Sequence, residues 1–257
     1  MKRSLIACLL IGCSVFLLHC RDVETQVDLI PLKSEYLRNG SVSMYTVKDK
    51  LGKVELYYKN HIFREAGDCV ISQEYTGQTT EYIKRLRLDG VTLNLISYDI
   101  IQNNTEADLD KTTIAELQFK MLTGKKTNQT YLITDYLEDK PSRTRLYTHP
   151  FLIENDFLLT LLTGFPFEEY SHASYQVVNT MKKVNDPTGT EKSYLVELSF
   201  NVTGKEKITY KRQSIPVYKV EFPSENLKAW FTVESPHMLI KAEFPNRTID
   251  LLDWNEI

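Results

Sequence analysis

The sequence predicts a mainly β fold, in which a curved antiparallel meander sheet or half-barrel encloses one apolar helix at about residues 150–163. Three observations support this prediction. Apolar and polar residues alternate through most of the chain after residue 41, and one segment is apolar on nearly every side. The 257 residues also include 15 Tyr and 11 Phe, and aromatic residues are enriched in β-strands.

The alternation has a period of two, which is typical of a strand with one buried and one solvated face. It is clear at residues 217–222, where Tyr218, Val220 and Phe222 share one face. The same pattern recurs at residues 115–121, 194–200 and 238–244. Successive strands of this kind, joined by turns, build an antiparallel sheet that curls over a core.

Turn residues separate the predicted strands. Residues 49–52 divide two alternating runs and predict a strand, a turn and a second strand. Asp89-Gly90 also lies between two such runs, and this dipeptide is a strong signal for a two-residue hairpin turn.

The predicted helix begins at Pro150, which suits the first turn because an N–H group has no partner there. Gly164 follows the apolar run and can end the helix. The apolar side chains spread over most of the helical surface, so the helix must be largely covered, and the concave face of the sheet is the simplest cover. We predict that an apolar ligand between the sheet and this helix contacts five side chains, namely Phe151, Phe157, Leu158, Leu161 and Trp230. For Trp230, packing under the sheet is the alternative.

The first twenty residues have the pattern of an export signal. Lys2 and Arg3 precede an uncharged, mostly apolar stretch at residues 5–18, which is typical of a secretory signal and shorter than the about 20 residues of a membrane-spanning helix. The stretch ends in His19-Cys20 and resembles a lipobox, so we predict lipidation at Cys20. His19 departs from the small residue usual at that position, and an ordinary secretory signal with Cys20 free or in a disulfide is the alternative.

The chain therefore divides into a signal peptide (residues 1–19), a lipidated tether (residues 20–40) and a single β-rich domain (residues 41–257). The tether mixes charged and apolar residues without a sustained period, as expected of a spacer between a membrane and a domain. Besides Cys20, only Cys69 remains after removal of the signal, and we interpret it as a small buried residue on a strand.

Charge and motifs argue against several function classes. The net charge is −3, and cleavage before Cys20 would change it to −5, whereas nucleic-acid binding usually needs a basic stripe. The sequence contains no P-loop, GxGxxG, HExxH, GxSxG or CxxC motif, so we predict no cofactor, no metal and no enzymatic activity. Residues 168–172 combine two glutamates with His172; we interpret them as a polar loop, with metal binding or catalysis as the alternative.

The C-terminal part of the chain carries a recognisable order of strands. A strand with Trp230 is followed by a turn, a strand that begins at Pro236, another turn and a closing strand with Leu251. This order resembles a family of bacterial envelope proteins known only as a domain of unknown function, over roughly residues 140–257. The Leu-Pro-Val usual in that family is replaced here by Pro-His-Met-Leu. The resemblance implies a sheet similar to the half-barrel of the lipoprotein carriers LolA and LolB.

Together these features predict a membrane-anchored, non-enzymatic lipoprotein of the bacterial cell envelope, located at the outer membrane. Its partners would be the membrane, through the lipid on Cys20, and an apolar ligand such as a lipid or acyl chain, or an envelope protein. A lipoprotein that binds a protein partner at its surface is the first alternative. An unrecognised hydrolase is the second, and it needs a cleft that brings together Asp, Glu, His and Ser side chains. The histidines that would serve it are scattered along the sequence, at His61, His149, His172 and His237.

Overall fold

The computed structural model describes residues 31–77, 80–104, 114–121, 129–135, 142–148, 151–179 and 195–255. Side chains are described for residues 31–77, 83–99, 151–179 and 195–255. The predicted signal peptide, Cys20 and His149 lie outside the described residues. Within the described part of the chain, no helix is long and apolar enough to cross a membrane.

Fifteen strands in the described ranges form one sheet. Neighbouring strands are antiparallel, except that β9 runs parallel to β10. The strands are β1 (Ser41–Asp49), β2 (Val54–Glu65), β3 (Asp68–Gly77), β4 (Thr80–Leu88), β5 (Leu95–Asn104), β6 (Ile114–Met121), β7 (Gln129–Asp135), β8 (Ser142–Thr148), β9 (Ile153–Glu154), β10 (His172–Val178), β11 (Leu195–Tyr210), β12 (Gln213–Phe222), β13 (Leu227–Thr232), β14 (Leu239–Glu243) and β15 (Arg247–Asn255).

The order of the strands shows that the sheet rolls up. One meander runs from β1 to β8 and another from β9 to β15, and the two join where β1 pairs with β15. The ends of the sheet are therefore β8 and β9, yet the five-residue step from Thr148 to Ile153 reaches at most about 18 Å. A flat sheet of this many strands would be about 67 Å wide at about 4.8 Å per strand. The sheet is consequently a nearly closed barrel.

This architecture confirms the predicted mainly β fold with a curved antiparallel sheet. The predicted strand at residues 217–222 is part of β12, and Tyr218, Val220 and Phe222 are each at most 4% exposed. Cys69 is a free thiol on β3 and is fully buried, as the sequence predicts.

The helix is shorter than predicted and begins later. α1 spans Leu158–Leu161 and is extended on both sides by a 3-10 turn, so that residues 155–164 form one helical segment. Ile153 and Glu154, which were predicted to lie within the helix, instead form β9, which pairs with the end of β10. Backbone hydrogen bonds to a neighbouring strand thus outweigh the local helix signal, which is only a weak preference.

The helical segment packs against both halves of the rolled sheet. Phe157 is fully buried, with its ring edge-on to Tyr98 of β5 at a centroid distance of 5.9 Å. Phe165, directly after the segment, packs edge-on against Phe200 of β11 at 5.0 Å. Because β5 and β11 belong to different meanders, the segment joins them in one core. Each large apolar side chain buried there contributes about 1.5–3 kcal/mol.

Part of the predicted tether belongs to the domain. Leu32 and Leu37 are at most 6% exposed, and the N–H of Lys33 donates to the carbonyl oxygen of Gly164 at 2.7 Å. The packed part of the domain therefore includes Leu32 and Leu37, which precede residue 41. The sequence pattern missed this because a short 3-10 turn, Ser34–Tyr36, separates the two leucines and has no strand period.

The connection between β4 and β5 is longer than the predicted two-residue turn. Residues 89–94 form a loop, which is closed by the Asp89 carboxylate as it accepts the N–H groups of Val91 at 3.1 Å and Thr92 at 2.7 Å. Gly90 has no positive φ. Glycine is required at position 90 for another reason: a Cβ atom there would lie 1.8 Å from the carbonyl oxygen of Gly67.

Candidate ligand-binding site

Four of the five residues predicted to contact a ligand lie in or beside the helical segment. Phe157, Leu158 and Leu161 are at most 4% exposed and belong to the hydrophobic core. Phe151 is half-buried, with its ring centroid 5.8 Å from that of Tyr175. These side chains pack against other side chains of the domain, and their contact with a ligand stays a prediction.

Trp230 is 7% exposed and belongs to the same hydrophobic core as Phe157, Leu158 and Leu161. It alternates along β13 with Ala229 and Phe231, which are fully buried. Its indole N–H donates to the carboxylate of Glu206, and the ammonium group of Lys241 lies 5.5 Å from the centre of its ring. Trp230 is therefore covered by side chains of neighbouring strands, and its contact with a ligand stays a prediction.

A pocket opens beside the helical segment, and none of the five predicted residues lines it. Its cavity volume is about 40 Å³, which is room for roughly three water-sized groups. Ser43 and Asn60 line it from β1 and β2, Thr160 and Thr163 from the helical segment, and His237 from the loop before β14.

A row of polar side chains crosses the inner face of the sheet at the level of this pocket. Ser43, Asn60, Gln73 and Lys84 are direct neighbours on β1 to β4, and each is at most 9% exposed. The amide nitrogen of Gln73 donates to the hydroxyl oxygen of Thr160 at 3.1 Å. The row thereby positions α1, and with it one wall of the pocket.

Lys84 and Asp156 attach the beginning of the helical segment to the sheet. The Lys84 ammonium lies 2.6 Å from one carboxylate oxygen of Asp156, and the Tyr98 hydroxyl donates to the same oxygen at 2.7 Å. The Lys84 side chain is only 9% exposed. This pair ties the segment to β4 and β5, so that the pocket wall is held at both of its ends.

Asn60 is the one member of the row with an unused hydrogen-bond acceptor. It is 5% exposed, and its side-chain oxygen has no hydrogen-bond partner among the described residues. Buried polar side chains nearly always have a partner, and a buried acceptor without one costs about 1–3 kcal/mol. The pocket wall therefore offers an acceptor that is ready for a donor.

His237 is buried, with its ring held in one orientation. Its Nδ1 lies 2.8 Å from the carbonyl oxygen of Thr232, and since a carbonyl only accepts, the proton is on Nδ1. The ring is enclosed by Phe167 and Tyr218, at centroid distances of 5.0 and 5.7 Å. Nε2 lies 3.4 Å from a carboxylate oxygen of Glu168 but outside hydrogen-bond geometry. A hydrogen-bond donor placed between the two atoms would stabilise this arrangement.

Glu168 lies at the edge of the pocket and connects His237 with the N-terminal residues of the domain. Partial burial opposes its ionisation, but its own N–H, the Tyr36 hydroxyl, His237 and Lys33 together outweigh this effect. The pKa of the Glu168 carboxyl is therefore below its usual range. The Tyr36 hydroxyl donates to Glu168 at 2.9 Å.

The predicted polar loop at residues 168–172 thus contributes Glu168 to the surroundings of the pocket. His172 is exposed at the start of β10. Within the described ranges, no three His, Cys, Asp or Glu side chains are grouped closely enough to hold a metal ion.

The sequence-based prediction missed Asn60 and His237 as site residues. A signal existed for Asn60, which lies between Tyr58 and Ile62 on what is otherwise the apolar face of β2. His237 carried no comparable signal, because Glu168 is far from it in the sequence and approaches it only in the folded chain.

Comparisons with known proteins give one structural similarity. No family model matches the chain, and no curated protein matches it. A crystal structure of a β-barrel-like protein of a domain of unknown function, from Brucella abortus, is similar with a TM-score of 0.48 and 7% sequence identity. The alignment covers 90% of this chain and 99% of that one. The barrel-like fold of this chain rests on its own strand pairing, whereas the LolA/LolB-like half-barrel and the lipid anchor stay predictions.

Proposed function

We propose that this protein is a non-enzymatic lipoprotein of the bacterial cell envelope, whose barrel-like domain binds a small ligand in the pocket lined by Asn60. The buried, unpartnered oxygen of Asn60 is the observation that carries the ligand-binding part. A side chain that served only to pack β2 against the helical segment would be apolar, like its neighbours Tyr58 and Ile62. A buried asparagine without a partner for its oxygen lowers the stability of the fold, and a ligand that donates a hydrogen bond to this oxygen would remove that cost.

The ligand enters at the pocket rather than under α1. A ligand between the sheet and α1 would have to displace Phe157, Leu158 and Leu161, which are at most 4% exposed. The segment that carries them is also attached to the sheet by the Lys84–Asp156 pair. The pocket needs no such displacement, because it is already open beside Thr160 and Thr163.

The envelope location rests on the first twenty residues, and labelling tests it. Cells that express the full chain are fed a lipid precursor such as radioactive palmitate, and the wild type is compared with Cys20→Ala. We expect label on the wild type and none on the variant. Label that persists on Cys20→Ala would refute the anchor and leave export alone.

Retention of small molecules tests the binding function. The full-length protein is incubated with a small-molecule extract of the envelope, washed, and its retained compounds are identified by mass spectrometry. We expect a compound retained by the wild type and lost from Asn60→Leu. Asn201→Leu is the matched control, because it makes the same substitution at an exposed position on β11. Equal retention by all three proteins would contradict binding at this pocket.

A further inference from the structure

Three hydrogen-bond acceptors line the pocket. The Ser41 hydroxyl donates to the carbonyl oxygen of Arg38 at 2.9 Å, and the Thr163 hydroxyl donates to the carbonyl oxygen of Thr160 at 2.7 Å. Both hydroxyl hydrogens are therefore engaged, and their oxygens remain as acceptors. The unpartnered oxygen of Asn60 is a third acceptor. A ligand that uses these three atoms must present hydrogen-bond donors to them.

The charged groups around the pocket indicate whether its ligand is a cation, an anion or a neutral molecule. Arg38 lines the pocket, and the carboxylate of Glu168 lies at its edge beside Tyr36 and His237. The guanidinium group of Arg38 repels an ammonium ligand, whereas Glu168 repels a phosphate or carboxylate ligand, which would also place acceptors against the oxygens of Asn60 and Thr163. A neutral hydroxyl group avoids both conflicts, because it donates to these oxygens and also accepts from arginine.

The apolar lining and the size of the pocket are consistent with the same class of ligand. Tyr36, Tyr45 and Trp254 contribute aromatic rings to the lining, and Trp254 is 39% exposed. The C–H face of a sugar ring packs on such an exposed aromatic surface. With about 40 Å³ of cavity, the pocket admits the edge of one ring, and any further rings stay outside.

We infer that the ligand of this pocket is a neutral, hydroxyl-rich molecule, either a free monosaccharide or the terminal residue of a glycan. This inference rests on the proposed function and specifies the ligand for the same pocket. Asn60 would accept a hydrogen bond from a ring hydroxyl, and Trp254 would pack against the ring.

Ligand-observed NMR with the full-length protein tests this inference, in a detergent that has no sugar headgroup. The probes are glucose and maltotriose, with choline and inorganic phosphate as charged counterparts. We expect saturable binding of glucose, maltotriose or both, weakened about tenfold by Asn60→Leu through the loss of one hydrogen bond. Asn201→Leu should bind as the wild type does. Glucose binding alone indicates a free sugar, and maltotriose binding at least as strong as glucose indicates a glycan end.

The outcomes separate this inference from the proposed function. Binding of choline or phosphate in place of the sugars overturns the inference. Absence of sugar binding overturns it as well, and the proposed function then stands if an envelope compound is retained by the wild type and lost from Asn60→Leu. If no compound is retained either, both fail. Circular dichroism checks the fold of Asn60→Leu, and should that variant not fold, Thr163→Val removes another pocket acceptor and takes its place.

Discussion

Removal of the Asp156 carboxylate should destabilise the domain more than any loss of a surface ion pair. Asp156 accepts from both Lys84 and Tyr98, at 2.6 and 2.7 Å, and the Lys84 side chain is 9% exposed. Removing one partner of a buried pair costs about 3–5 kcal/mol. Because the Asp156 side chain is 22% exposed, we expect the lower end for Asp156→Ala, about 3 kcal/mol, or about 6–12 °C in Tm for a domain of this size.

Urea unfolding followed by circular dichroism measures this cost. The combination of Lys84→Met with Asp156→Asn should lie within about 1 kcal/mol of the wild type, because it removes both charges and keeps an acceptor for Tyr98. Glu74→Ala is the control, since its pair with Lys59 is 3.7 Å long with side chains 49% and 43% exposed, and it should cost at most about 1 kcal/mol. Equal costs for Asp156→Ala and Glu74→Ala would refute the reasoning that burial decides the strength of the pair.

Three further predictions concern a turn, a thiol and a phenol. Gly90→Ala should lower the free energy of unfolding by at least about 1–3 kcal/mol, because its Cβ would lie 1.8 Å from the Gly67 carbonyl oxygen; Gly164→Ala, with its nearest contact at 3.1 Å, should cost less in the same urea titration. Cys69 is fully buried, and burial raises the pKa of its thiol, so a thiol reagent should label it only after denaturation; rapid labelling of the native protein would contradict this. Burial also raises the pKa of Tyr45 from 10.0 to about 12, so the folded state favours the neutral phenol. That stability is complete below pH 10 and is lost as the pH rises towards 12, and Tyr45→Phe should reduce the slope of unfolding free energy against pH in this window; an unchanged slope would show that Tyr45 does not contribute.

The strands were predictable because their signal is local. In a strand with one buried and one solvent-exposed face, apolar and polar residues must alternate. In β12, Tyr218, Val220 and Phe222 lie on the buried face. The helix was predicted only approximately, because β9 forms through hydrogen bonds to β10, whose residues follow about twenty positions later. Gly90 illustrates the same limit. Its identity suggested a tight turn, whereas the reason for it is the carbonyl of Gly67 on another hairpin.

The candidate site depended on distances that no local pattern contains. Glu168 and His237 are separated by more than sixty residues, and Asn60 is much farther from both along the chain. Trp230 was predicted either to contact a ligand or to pack under the sheet, and its contacts with Glu206 of β11 and Lys241 of β14 depend on strand pairing that no local pattern contains. Asn60 could have been suspected because it is a polar residue on an apolar strand face. That its side-chain oxygen has no hydrogen-bond partner among the described residues is visible only in the folded structure.

The sequence by itself determined the mainly β class, the dry face of β12, the burial of Cys69 and the expectation of export through residues 1–20. These follow from hydrophobic periodicity and composition, which act over a few residues. The tertiary structure alone decided the closure of the sheet, the short helical segment held by Lys84 and Asp156, and the pocket with its unpartnered acceptor. Those features arise where strands distant in sequence meet, because hydrogen bonds and steric contacts depend on distances in space rather than on positions along the chain.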